Sequence, residues 1–170
     1  MIKTRWLDMV LLSLQVVCMT CLLGIAVDLV TAHIAVEYFT IHHPRVVDSK
    51  SPWVMALVWG IGASWWFGLI ASIVIWATNA RRDHPLSRKR LVRMIPPLLL
   101  VVWLVMMLIL SGVYLLAGQI PEASRRATFE SDRRLMSVAI CHMTEYVLGV
   151  LALVFLAFQI KRTSESDVST

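Results

Sequence analysis

Residues 51–80 read SPWVMALVWGIGASWWFGLIASIVIWATNA, thirty positions without a charged side chain. A helix rises ~1.5 Å per residue, so a hydrocarbon core ~30 Å thick is crossed by roughly 20 residues. This stretch spans it with residues to spare. Within it Ala56, Gly60, Ser64, Gly68 and Ser72 recur every fourth position. That period lays small side chains along one helix face and predicts that another helix approaches closely there. Packing within the bundle is the expected use of the face. The alternative is a homodimer or a membrane-protein partner docked through Gly60, Ser64 and Gly68. Trp53 and Trp76 stand roughly 35 Å apart on such a helix, matching the two interfacial belts of a bilayer. Trp59, Trp65 and Trp66 lie deeper and are read as packing residues.

Three more apolar runs flank this one. Met9 to Val27 and Met94 to Pro121 carry no charge, and Leu135 to Ile160 is interrupted only by His142 and Glu145. The first reaches spanning length once Trp6 and Leu7 are included. The pattern predicts an all-α protein: a four-helix transmembrane bundle, antiparallel and up-down, embedded in the lipid bilayer. Its spans are expected at about 6–28, 53–78, 95–117 and 135–160 of one membrane domain covering 1–162. The Ser/Thr/Asp/Glu-rich tail, 163–170, is expected to be disordered. Composition agrees. Of 170 residues, 58% are hydrophobic and 16% charged, with mean hydropathy +0.73. Soluble domains run ~45–50% apolar and ~25% charged, so a soluble enzyme is excluded. Lys3 and Arg5 give the first run the start of a secretory signal, but no small-x-small cleavage site follows. An uncleaved first span is expected.

The net charge of +5 is distributed as a topology signal. Lys3, Arg5, Arg81, Arg82, Arg88, Lys89, Arg90, Arg93, Lys161 and Arg162 fall on one side, ten in all. Arg45, Lys50, Arg125, Arg126, Arg133 and Arg134 fall on the other, six in all. The positive-inside rule places both termini and the 81–93 loop in the cytoplasm. No basic stripe with interleaved aromatics is present, which excludes nucleic acid as a partner. Helix ends are also marked. Pro44 and Pro52 bracket the first outer loop, and Pro96-Pro97 is expected in the first turn of the third span. Gly118 and Pro121 close that span, and the fourth helix is expected to begin near Ala123.

The fourth span holds the most informative position. Only fifteen residues, Tyr146 to Ile160, separate Glu145 from Lys161. They cover ~22 Å, short of the ~30 Å core, so Glu145 lies within the outer hydrocarbon. His142 stands three residues earlier on the same face. Ionisable groups at such depth mark functional sites. A second polar cluster follows the first span, running from Asp28 through His33 and Glu37-Tyr38 to His42-His43-Pro44. His33 and Glu37 share a face whether the segment is helical or extended. His33-x-x-x-Glu37-Tyr38 and His142-x-x-Glu145-Tyr146 resemble two halves of one constellation. Upright helices counted from Arg5 and Lys161 would leave the two histidines ~14 Å apart in level. Tilt, or a break near Gly24 or Asp28, is needed to close that gap. His33, Glu37, His142 and Glu145 are thus candidate ligands for a divalent metal: zinc, iron or manganese. A structural His/Glu network and a proton relay are the competing readings. Cys18 and Cys21 have redox spacing, but they lie deep with no basic neighbour and are read as small core residues. Cys141, beside His142, is a core position or a further ligand. No phosphate loop, catalytic triad or nucleotide fingerprint is present.

Residues 33–44, HIAVEYFTIHHP, and the Trp59-to-Gly68 stretch WGIGASWWFG resemble a group of small, uncharacterised four-span integral membrane proteins of bacteria. Those proteins pair an H-x-x-x-E-Y-F-T…H-P segment with a Trp/Gly-rich second span. The resemblance implies a bacterial inner-membrane setting and draws attention to His33, Glu37 and His43-Pro44, without implying an activity. The expectation is a polytopic inner-membrane protein with an outward-facing His/Glu site able to bind a metal. The alternative is a non-catalytic partner or assembly subunit of a membrane complex.

Overall fold

The computed structural model describes residues 2–119 and 133–163, all helix, turn or loop with no strand among them. Four long helices and one short one follow in order: α1 (Ile2–Ile34), α2 (Glu37–Thr40), α3 (Pro52–Ala80), α4 (Arg88–Gln119) and α5 (Arg133–Arg162). The four long helices are each long and apolar enough to cross a membrane. Their outer faces are as apolar as their cores: Leu108 is 73% exposed, Ile73 65% and Val154 62%. Water would reject such a surface, whereas hydrocarbon accepts it without penalty.

The helices pack as two hairpins, α1 with α3 and α4 with α5, laid side by side. The first pair is held by the small-residue face. Ala56, Gly60, Ser64, Gly68 and Ser72 are all buried, and they meet α1 at Val17, Thr20, Gly24 and Ile25. A Cβ placed on Gly60 would lie 2.5 Å from the Ile25 nitrogen, and one on Gly68 would lie 2.4 Å from Thr20 Oγ1. The two backbones approach so closely that only hydrogen fits between them. The face that invites a partner is therefore filled by a helix of the same chain.

Sequence and structure differ at several helix ends. α1 continues past Val27 through Asp28 to Ile34 without the break considered near Gly24 or Asp28. α4 starts two turns before Pro96-Pro97, which lie inside the helix instead of in its first turn. Ser87 explains the early start: its Oγ accepts from Arg90 N at 3.4 Å and its carbonyl from Leu91 N at 3.1 Å. Such a cap begins a helix where the sequence offers one. The expected helix start near Ala123 and the expected disorder of the tail beyond Thr163 fall outside the described residues. Trp53, Trp65 and Trp66 reach the outer surface at 64%, 47% and 39% exposure, and Trp66 also packs against Phe67 and stacks on Tyr146.

One end of the bundle is fastened tightly. Asn79 is buried and grips the backbone of Leu86 twice, donating from Nδ2 at 3.0 Å and accepting at Oδ1 at 2.8 Å. The Arg82 guanidinium caps the C-terminus of α5, donating to the carbonyls of Ile160, Lys161 (3.1 Å) and Thr163 (2.7 Å). A cation at that position also complements the helix dipole. Arg88 reaches Asp8 and Gln15 of α1 at the same end. Both the start of α1 and the end of α5 thus lie there, as an even number of crossings requires. The polar cluster lies at the opposite end.

Candidate functional site

His142 projects from α5 toward α1, where Asp28 and Thr31 meet it. Its Nε2 is 3.3 Å from Thr31 Oγ1 and 3.5 Å from Asp28 Oδ1. Its Nδ1 is 3.5 Å from Glu145 Oε2. The Thr31 hydroxyl donates its proton to the Val27 carbonyl at 3.1 Å, so toward His142 it offers lone pairs. Nε2 accordingly faces the Thr31 lone pairs and the Asp28 carboxyl. One imidazole is thus held between two carboxylates, one at each ring nitrogen. The site is deep: side-chain exposure is 4% at Asp28, 14% at His142 and 19% at Glu145.

The chain that follows α1 forms a lid of rings over this site. α1 ends at Ile34, and one turn, α2, brings Tyr38 and Phe39 inward. The Tyr38 ring stacks on His142 with centroids 4.9 Å apart and planes 9° from parallel, and Phe39 meets it edge-on at 5.5 Å. Pro44 bars the preceding residue from continuing a helix. His43 turns back, donating from Nδ1 to the Tyr38 carbonyl at 2.8 Å, and its ring lies against Tyr38 and Trp59. Burial, then the charge of Asp28, pushes the Tyr38 phenol up to about 12. The phenol stays neutral over the whole range in which an imidazole titrates. Cys141, beside His142, is fully buried and points its thiol at the Met106 carbonyl, a core contact. Cys18, Cys21 and Cys141 are all free thiols.

Of the four residues singled out in the sequence, His142 and Glu145 stand together in this site. His33 and Glu37 have other partners. His33 is exposed, donates from Nδ1 to the Leu29 carbonyl at 2.6 Å, and packs edge-on against Trp53 at 5.2 Å. It follows Thr31 by two residues, ~200° around α1, so it faces away from His142. Glu37 reaches Arg134 at 3.9 Å, a half-exposed pair of small energetic weight. The sequence reading named Asp28 in the outer polar cluster but not among the candidate ligands, and it occupies the place opposite His142 that was given to His33. Comparison with known proteins leaves these residues to be read on their own terms. No family model, no curated protein and no solved structure matches this chain.

The geometry sets what the site can do. Asp28 and Glu145 address opposite edges of one ring, so a single ion ligated by His142 can meet one of them and not the other. Among the described residues no three His, Cys, Asp or Glu side chains are gathered as a metal centre requires. An imidazole with a carboxylate at each nitrogen can take a proton at one edge and release one at the other.

Proposed function

We propose that this is a multi-pass protein of the bacterial inner membrane whose Asp28–His142–Glu145 set is an acid–base site, buried in the outer part of the bilayer. The observation that carries the reading is the bracketing of His142 by two carboxylates within a membrane-spanning segment. Ionisable groups at that depth are costly unless used, and facing pairs of them mark proton relays. Infrared difference spectra of the full chain in nanodiscs test it. Stepping the pH between about 5 and 8, the range in which histidine changes charge, is expected to shift imidazole and carboxyl bands. Glu145→Gln and Asp28→Asn should each remove part of the response. A response that is the same in wild type, Glu145→Gln and Asp28→Asn would defeat the proposal.

The orientation belongs to the same proposal and rests on the ten-to-six division of basic residues. Reporter fusions after Thr170 and within 81–93 are expected to read cytoplasmic, and those near Asp48 and Ser131 periplasmic. A periplasmic C-terminus would invert the bundle and put the site on the cytoplasmic side.

A further inference from the structure

A cavity of about 170 Å³ lies at the fastened end, between the start of α1, the end of α3 and the turn into α4. Leu12, Trp76 and Leu91 give it apolar walls, and Asp8 and Arg88 are its charged residues. Donors on those walls are left over. Arg88 gives Nε to Asp8 at 3.4 Å and Nη1 to Gln15 at 2.7 Å, and its Nη2 has no partner among the described residues. Ser87 Oγ accepts from Arg90 N, and its own proton, like the Trp76 indole N–H, has no acceptor among them. The Asn79 amide is taken up on both sides by the Leu86 backbone. Asp8, half-exposed, is the one carboxylate on the walls.

A surplus of donors around a fixed cation calls for a phosphodiester, which brings a fixed negative charge and acceptor oxygens without donors. The level of the cavity names its source. Asp8 and Arg88 stand in the first turns of the spans Trp6–Ile34 and Arg88–Leu116, and Trp76 belongs to an interfacial belt. The cavity therefore sits among lipid head groups. Asp8 selects between them, because it repels a second anionic group and attracts an ammonium. Among the cations of 81–93 only Arg88 lines the cavity, and Arg82 is held by the end of α5. We propose that this cavity seats the head group of a phosphatidylethanolamine, its phosphate on Arg88, Ser87 and Trp76 and its ammonium on Asp8. Four charges then alternate around the Arg88–Asp8 pair and sum to zero. The space exceeds the ~150 Å³ cavity that admits benzene, so the phosphate and the ethylene link beside it fit. The acyl chains stay in the bilayer and need no room inside. Held by α1, α3 and the start of α4, the lipid bridges the two hairpins at the end opposite the acid–base site.

Native mass spectrometry of the full chain, stripped of lipid and supplied with dimyristoyl phosphatidylethanolamine or dimyristoyl phosphatidylglycerol, tests this. One phosphatidylethanolamine per chain is expected, bound roughly fivefold more tightly than phosphatidylglycerol, the weight of one charge contact near the membrane surface. Asp8→Asn should abolish that preference, and Arg88→Gln should weaken both lipids. Where Arg88→Gln does not fold, Ala80→Phe takes its place. Ala80 is exposed at the end of α3 and lines the cavity, so a phenyl ring there should block the site without entering the core. Soluble phosphoethanolamine is expected not to displace the lipid; displacement by an equal concentration would mean a site for a free solute and overturn the proposal. Equal binding of the two lipids by the wild-type chain overturns it as well, as does phosphatidylethanolamine binding left unchanged by Arg88→Gln or, in its place, by Ala80→Phe.

Discussion

His142→Leu is expected to destabilise the bundle by about 3–5 kcal/mol, the range for removing one partner of a buried charged pair. The loss has two parts. Asp28 and Glu145, 4% and 19% exposed, would face each other without the ring between them. Tyr38 would also lose the ring it stacks on, a contact of roughly 0.5–1.5 kcal/mol for aromatic pairs. Adding Asp28→Leu to His142→Leu should recover much of the deficit, because replacing a whole buried pair by apolar side chains is often near neutral. Unfolding by a denaturing detergent in mixed micelles measures both. A His142→Leu variant within about 1 kcal/mol of wild type would show that the three groups do not depend on one another.

Gly60→Ala is expected to have the second large effect, although it adds one methyl group. Its Cβ would lie 2.5 Å from the Ile25 nitrogen and 2.6 Å from the Ile25 Cα. Those are backbone atoms and cannot rotate aside, so α1 and α3 must separate along their length. Overpacking costs roughly 1–3 kcal/mol where side chains can adjust, and here about 3 kcal/mol is expected. Gly62 supplies the control: nothing lies within 4 Å of its added Cβ. Gly62→Ala should leave stability unchanged or raise it by about 0.5–1 kcal/mol, the helix preference of alanine over glycine. Equal stabilities for Gly60→Ala and Gly62→Ala would remove the close-approach argument.

The four spans were legible because each signal was local. Thirty uncharged residues at 51–80 and the fourfold spacing of small residues within them require nothing from elsewhere in the chain. His142 and Glu145 were legible for the same reason, since their depth follows from counting along one helix to Lys161. Asp28 was not taken as a site residue because it was read as the end of the first span, while the helix continues past it to Ile34. Counted from Asp8, which meets Arg88 at the fastened end, Asp28 stands twenty residues in, roughly 30 Å. His142 stands nineteen from Lys161, roughly 28 Å. From Arg5, the origin used for His33, Asp28 is twenty-three residues or roughly 34 Å in, so the level mismatch narrows from ~14 Å to ~6 Å. The expected shared face of His33 and Glu37 assumed one unbroken conformation, and the chain changes direction between them at Ala35–Val36. The stacking of Tyr38 on His142 joins positions 104 residues apart, which no local periodicity encodes.

The fastenings at Asn79 and Arg82 have a mechanical consequence. They fix the hairpins to one another at one end of the molecule, and the contacts of His142 with Asp28, Thr31 and Tyr38 fix them at the other. The seam is a beam held at both ends, and removing one support should free that end alone. Spin labels at Ile61 and Val147 should accordingly report a broader distance distribution in His142→Leu than in wild type, while labels at Ile73 and Phe158 keep theirs. Equal widths at both levels in that variant would mean that the polar cluster carries none of the fastening.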